Sequence, residues 1–264
     1  MVDVLCAEFP AEDSRVHADV TVRAGGTAVN AAGAASEAGA AATVVGRVGS
    51  DASAELVSLA LAERGIVGKL ARDSELSTGA AVSLGGSVVA HRGANARLTA
   101  RDIPDPLEAD ALLVSGFALF QTGSREAARA ALERFRGRWA AVDLASPKLA
   151  DLELATGANV VLATAEEARA VTRAEPEEAV KALAARFELA VVKLGEDGAI
   201  AVRGDRVERA AAEPVARRSA FGAGDAFAGV LLVALAREQP LDEALRLACE
   251  AGARAAASVP GAAV

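Results

Sequence analysis

The segment Phe221-Gly222-Ala223-Gly224-Asp225-Ala226-Phe227 joins a polar loop to a long apolar run. Two glycines let the backbone turn tightly and approach a ligand closely. A helix starting here presents unpaired N–H groups and the positive end of its dipole, an arrangement suited to a phosphate. At the mouth of that turn, Asp225 could take the proton of an attacking hydroxyl. Gly222, Ala223 and Gly224 would meanwhile hold the charge on a transferring phosphoryl group. Taken alone, the segment equally fits a plain helix start whose first-turn acid suits the dipole.

Other pieces share this character. Gly25-Gly26-Thr27-Ala28-Val29-Asn30 precedes a second helix. Its glycines allow close approach of a polyhydroxylated ligand, and the Asn30 amide can both donate to and accept from hydroxyls. Gly46-Arg47-Val48-Gly49-Ser50-Asp51 follows a strand, Gly93-Ala94-Asn95 ends a β-prone stretch, and Gly195-Glu196-Asp197-Gly198 links two strands. His91-Arg92 could meet a carboxylate or phosphate on a substrate, or form a solvated turn.

The elements that must position these residues alternate. Val2 to Ala7, Ala42 to Val48, Ala111 to Ser115, Trp139 to Leu144, Asn159 to Ala163 and Leu189 to Leu194 read as strands covered on both faces. Helical patterns run over Asn30 to Ala38, Ser53 to Arg64, Ser124 to Phe135, Glu166 to Val171, Pro176 to Phe187, Asp225 to Arg237 and Leu241 to Ser258. Pro176 followed by Glu177 and Glu178 is a favourable helix start. Strand then helix, repeated, predicts an α/β fold with a mostly parallel sheet between two helical layers. Val16 to Arg23 and Thr78 to Arg92, the latter with the turn Gly85-Gly86, read instead as a small antiparallel flap off the main sheet.

Composition sets the outer bounds. The chain has 264 residues, 28 Lys+Arg against 36 Asp+Glu and a net charge of −8. A single domain, 1–264, is large enough to bury its core without a disulfide or metal staple. The acidic balance argues against nucleic acid as a partner. Cys6 and Cys249 form no CxxC, and neither His17 nor His91 lies in HExxH, so a structural zinc site is not expected. No run of about 20 apolar residues predicts a membrane span, and no secretory leader is evident, so a cytoplasmic protein is expected. The first strand lacks the GxGxxG of a dinucleotide fold, and no GxxxxGK[ST] exists.

The ordered set of pieces resembles the ribokinase-like, or PfkB, family of carbohydrate kinases over almost the whole chain. Gly25-Gly26-x-x-x-Asn30 looks like that family's first signature and Gly222-Ala223-Gly224-Asp225 like the core of its second. Val48-Gly49-x-Asp51, Gly93-Ala94-Asn95, Glu167 and Lys193-Leu194-Gly195-x-x-Gly198 fall between in family order. The resemblance implies a three-layer α/β/α fold with a small β-lid, here about 10–24 and 78–92. It implies transfer of the γ-phosphoryl of ATP, with Mg2+, to a hydroxyl. Asp225 would be the base and Gly222, Ala223 and Gly224 the anion hole. Gly25, Gly26 and Asn30 would face the sugar, with Glu12 or Asp13 as its acidic ligand. Glu167 would organise Mg2+ through water, and Lys193, Gly195, Gly198 and Cys249 would line the nucleotide. A homodimer through the lid would also follow, an exposed edge inviting it.

Two departures bear on the metal sites. Ser219-Ala220-Phe221 stands where the family usually has Asp-Thr-Thr, which puts monovalent-cation activation in doubt, and Thr164 stands where an Asn usually precedes Glu167. With no tyrosine and its one tryptophan, Trp139, in a core strand, the chain favours a small sugar, sugar acid or polyol read through hydrogen bonds. A nucleoside kinase and a non-catalytic sugar- or nucleotide-binding relative are the alternatives.

Overall fold

A computed structural model describes residues 1–6, 15, 17–84, 87–215 and 221–257. In chain order the elements are β1 (Val2–Cys6), β2 (Val20–Ala24), α1 (Thr27–Glu37), β3 (Thr43–Val48), α2 (Ala52–Glu63), β4 (Val67–Arg72), β5 (Thr78–Leu84) and β6 (Ser87–Gly93). There follow β7 (Leu107–Glu108), β8 (Ala111–Ser115), α3 (Gly116–Leu119), α4 (Arg125–Arg134), β9 (Phe135–Arg136), β10 (Trp139–Asp143), β11 (Val160–Thr164), α5 (Ala165–Thr172), α6 (Pro176–Ala184), β12 (Leu189–Lys193), β13 (Ala199–Arg203), β14 (Arg206–Ala210), α7 (Ala223–Ala236) and α8 (Leu241–Ala257).

The largest sheet has the order β14-β13-β12-β11-β10-β8. Its strands β8, β10, β11 and β12 are parallel, and β13 and β14 add an antiparallel edge. Alternate residues of the central strands feed two separate cores. Ala140, Val142, Val161, Ala163, Ala190 and Val192 belong to a core with α4 and α6. Trp139, Ala141, Val160, Leu162, Leu189 and Val191 belong to a second core with α7 and α8. These strands read as unbroken apolar runs because both faces are covered. The three-layer α/β/α reading therefore holds. α7 is buried from Ala226 to Leu235, all round its axis, because it lies between the sheet and α1 and α8.

The first third of the chain differs from the sequence reading. The apolar runs at 2–7 and 42–48 do not join the large sheet. Among the described residues β3 pairs with β4 alone, and β1 sits in a four-stranded sheet of order β2-β1-β5-β6. The flap segments do stand off the six-stranded sheet, but not as a purely antiparallel piece: β2 and the β5–β6 hairpin grow on either side of β1, and β1 pairs with β5 in parallel. An apolar run says that a strand is buried, not which edge accepts its hydrogen bonds. The turn at Gly85-Gly86 lies outside the described residues.

β2 carries an inverted pattern. Val20 and Val22 are 59% and 53% exposed, whereas Thr21 and Arg23, on the other face, are half-buried. A strand that turns its polar residues inward covers something polar.

Candidate active site

The C-terminal ends of parallel strands share one edge of a sheet, where open α/β folds place their ligands. Here that edge carries Asp143 from β10, Thr164 from β11 and Lys193 from β12. The Lys193 ammonium is bonded to Asp143 Oδ2 at 2.7 Å, with both side chains nearly buried. Asp143, Glu167 and Asp225 all act to keep Lys193 charged against the cost of its burial, and its affinity for protons ends above the ordinary lysine value.

α7 begins directly above this edge. Gly222 has φ +86°, a left-handed conformation open to glycine, and it starts the helix that carries Asp225 in its first turn. Gly224 lies over Lys193: a Cβ added there would sit 3.3 Å from Nζ. A cation thus stands beneath a helix N-terminus with free N–H groups, and the two reinforce each other as an anion site.

Asp225 is held from the other side by α1. Asn30 Nδ2 donates to Asp225 Oδ2 at 2.9 Å. Close helix packing makes this possible, since a Cβ on Gly229 would lie only 2.2 Å from the Ala31 carbonyl oxygen. Gly229 and Asp225 are four residues apart and share one face of α7. Burial pushes the Asp225 carboxyl above its usual range, and the bond from Asn30 works against that shift. A carboxyl so raised is a better proton acceptor than an exposed aspartate.

A second acid completes the cluster, and the sequence reading did not find it. Asp3 faces Arg23 directly across the β1–β2 ladder. Its residue is fully buried, and among the described residues neither carboxylate oxygen has a side-chain hydrogen-bond partner. It lies against the Gly25-Gly26 turn, where a Cβ on Gly25 would fall 1.7 Å from Oδ2. Burial lifts its pKa to about 6, while the Arg23 charge and a hydrogen bond from the Gly26 amide pull it down. The one available signal was a single acid inside the run Val2-Asp3-Val4-Leu5.

The remaining candidates separate by their contacts. Gly25, Gly26 and Asn30 meet at Asp3 and Asp225. Glu167 caps α5: its Oε2 accepts from the Thr164 N–H at 2.8 Å, and the Thr164 hydroxyl accepts from the Glu167 N–H at 3.2 Å. Thr164 thus takes the capping role open to an Asn. Burial raises the Glu167 carboxyl, with Asp143 adding to the rise and Lys193 opposing it. Gly195 has open space where a side chain would go, whereas a Cβ on Gly198 would meet the Ala210 carbonyl oxygen at 1.9 Å, so Gly198 serves the β12–β13 turn. Cys249 is buried on α8 with Sγ 3.7 Å from the Ala210 carbonyl oxygen, and burial pushes its thiol up to about 11, which leaves it unreactive.

Arg92 donates to Gln121 at 3.0 Å and to Ser124, so its hydrogen bonds tie β6 to the start of α4 rather than to the Asp225 cluster. His91 is exposed on β6. Glu12, Asp13 and Ser219 lie outside the described residues. Asp51 accepts from Ala54 and Thr78, and Asn95 accepts from the Arg47 N–H, so these motif residues brace the β3–α2 turn against β5 and the segment after β6.

Among the described residues no three His, Cys, Asp or Glu side chains gather to hold a metal ion by themselves. One buried carboxylate beside an anion site does suit Mg2+ that arrives on nucleotide phosphates, because that ion keeps most of its water and needs only one or two carboxylates.

Residues 2–263 match the pfkB family carbohydrate kinases. The chain belongs to this family, and so is a phosphotransferase acting on a hydroxyl acceptor of a sugar or nucleoside. Among solved structures it is similar to the adenosine kinase from Sinorhizobium meliloti, at 22% identity over 98% of this chain and 92% of that one, TM-score 0.86. It resembles the fructokinase from Vibrio cholerae O395 in its fructose-, ADP- and calcium-bound form, at 25% identity over 97% and 90%, TM-score 0.82. The ribokinase from Thermotoga maritima aligns at 23% identity over 98% and 90%, TM-score 0.83. No curated protein matches the chain. Among the described residues no helix is long and apolar enough to cross a membrane.

Proposed function

We propose that this chain transfers the γ-phosphoryl group of ATP to a hydroxyl of a small sugar, sugar acid or polyol. The observation that carries the reading is the half-buried Asp225 carboxylate, bonded to Asn30 and seated in the first turn of α7 above Lys193. The acceptor hydroxyl lies between Asp225 and the Gly222–Gly224 turn. Its oxygen attacks the γ-phosphorus and its proton passes to Asp225. Backbone N–H groups of Gly222, Ala223 and Gly224, with Lys193 beneath them, hold the charge that spreads over the phosphoryl oxygens. Glu167 would hold Mg2+ through water, where the ion would supply charge neutralisation at the ATP phosphates.

Asp3 supplies an acidic ligand of the acceptor. A buried carboxylate without a side-chain partner, against the Gly25-Gly26 turn, can accept from hydroxyls of a polyol. The polar set Asp3, Arg23, Thr27 and Asn30 favours a hydroxylated acceptor over a stacked base, and Trp139 is engaged elsewhere by the Leu235 carbonyl and the guanidinium groups of Arg138 and Arg203. β2 and the β5–β6 hairpin act as the lid over this acceptor. The exposed face of β2 pairs with a second copy, which accounts for Val20 and Val22 standing in solvent.

ATP consumption is measured for the wild-type chain and Asp225→Asn with D-fructose, D-ribose, D-gluconate, myo-inositol and adenosine. Sugar-dependent turnover that falls at least about 10³-fold in the variant is expected. Equal turnover by the two proteins refutes the mechanism, and turnover with adenosine alone reassigns the acceptor to a nucleoside.

A further inference from the structure

The turn before α7 faces a cation that none of the glycine motifs includes. Arg23, on β2, has a buried Nε with no hydrogen-bond partner. Its Nη2 lies 3.8 Å from the point where a Cβ on Gly222 would sit, and Asn30 Nδ2 lies 3.3 Å from the same point. Asn30 in turn bonds Asp225. A guanidinium, an amide and the catalytic carboxylate therefore converge on one side of Gly222. Asp3 faces Arg23 across the β1–β2 ladder and acts on it through charge. Burial lowers the pKa of Arg23 and Asp3 raises it, and the group stays charged at neutral pH.

Leaving a buried N–H without an acceptor costs free energy, so its place in the site calls for an acceptor that arrives with a ligand. Two kinds of anion could fill that role: the transferring phosphoryl group, or an acid group on the acceptor. The position of Nη2 decides between them. It stands over Gly222, the residue that opens the anion turn, where phosphoryl oxygens gripped by the N–H groups would lie.

We propose that Arg23 is a catalytic residue for phosphoryl transfer, donating from its guanidinium to oxygens of the γ-phosphoryl group. The proposal rests on reading Asp225 as the base and Gly222–Gly224 as the anion hole. In the step, the acceptor oxygen forms a bond to the γ-phosphorus. The bond from that phosphorus to the oxygen bridging the β-phosphorus breaks, its electron pair leaves on ADP, and the acceptor proton moves to Asp225. Arg23 neither gains nor loses a proton. It opposes the charge that spreads over the non-bridging oxygens, a role in which a fixed cation matters more to the transition state than to bound substrate.

Turnover is measured with ATP and the five acceptors above for wild type, Arg23→Ala, Arg23→Lys and Asp225→Asn, each checked by thermal unfolding. Arg23→Ala is expected to lower kcat about 10²- to 10³-fold while the acceptor KM moves less than about threefold. Arg23→Lys should recover part of the loss, and millimolar guanidinium ion should raise the rate of Arg23→Ala alone. If Arg23→Ala unfolds at assay temperature, the kcat-against-KM split of Arg23→Lys carries the test. A loss confined to the acceptor KM, or a kcat within about threefold of wild type while Asp225→Asn is inactive, overturns the role of Arg23 and leaves the parent mechanism standing. A wild-type chain that phosphorylates none of the acceptors, or an Asp225→Asn as active as wild type, overturns both.

Discussion

Asn30 on α1 and Asp225 on α7 stand 195 residues apart in the chain and are joined by a 2.9 Å hydrogen bond. That bond orients the proposed base and helps keep it ionised against the burial that raises its pKa. A base works in its deprotonated form, so activity falls as pH drops through the pKa of Asp225. Asn30→Ala removes a group that lowers this pKa. The acid limb of the pH–rate profile should move to higher pH, and kcat at neutral pH should fall about 10-fold or more. An unchanged acid limb in Asn30→Ala would count against this coupling.

The close contact of Gly229 with the Ala31 carbonyl is what lets Asn30 reach Asp225. Gly229→Val must push α1 from α7. A stability loss of about 3 kcal/mol is expected, together with a kcat loss beyond any fall in folded fraction. Denaturant melts run beside turnover assays separate the two effects.

Lys193 and Asp143 form a nearly buried ion pair under the anion turn. Lys193→Met strands a buried carboxylate and should cost about 3–5 kcal/mol in urea melts. The double variant Lys193→Met/Asp143→Leu should recover most of that stability but not the activity, since the anion site has lost its cation. Full activity in the double variant would remove Lys193 from the mechanism.

Asp3 trades stability for function. Its pKa rises from 3.8 to about 6 on folding. The folded state therefore favours the protonated form. That contribution is complete below about pH 4 and is lost as pH rises through about 6. Asp3→Asn cannot ionise and should be more stable than wild type by up to about 3 kcal/mol at pH 7.5, an advantage that vanishes near pH 4. Its acceptor KM should rise, because an amide cannot accept as two carboxylate oxygens do. Chemical denaturation at a series of pH values tests the first point, and a pH-independent stability difference would contradict it.

The lid face should hold two copies together. Val22→Glu, which places a charge where a valine is 53% exposed, should shift the chain from dimer to monomer in light scattering and leave the thermal midpoint within a few degrees. A wild-type chain that is monomeric at working concentration would end this reading.

The glycine turn before α7 was legible because its determinants are local. Two glycines, an acid in the first helical turn and an apolar helix behind them lie within a few residues of each other, and the dipole argument needs nothing else. Gly25-Gly26 and Asn30 were legible for the same reason. Asp3, Arg23 and Asp143 were not. Each sits in a strand whose neighbours are mostly apolar or unremarkable, and each acquires meaning only from a partner: Arg23 across the ladder for Asp3, Lys193 at the end of β12, two strands away, for Asp143.

By itself, then, the chain of residues determined the alternation of strand and helix, the two-sided burial of β10, β11 and β12, and the glycine turn that starts α7, because periodicity and helix-end chemistry act over a few residues. The tertiary structure decided that β1 pairs with β2 and β5, that α1 presses against α7 closely enough for Asn30 to reach Asp225, and that Asp3 and Arg23 face one another beside that bond. Strand partners and helix contacts depend on which surfaces can be buried together, and that is a property of the whole packed chain.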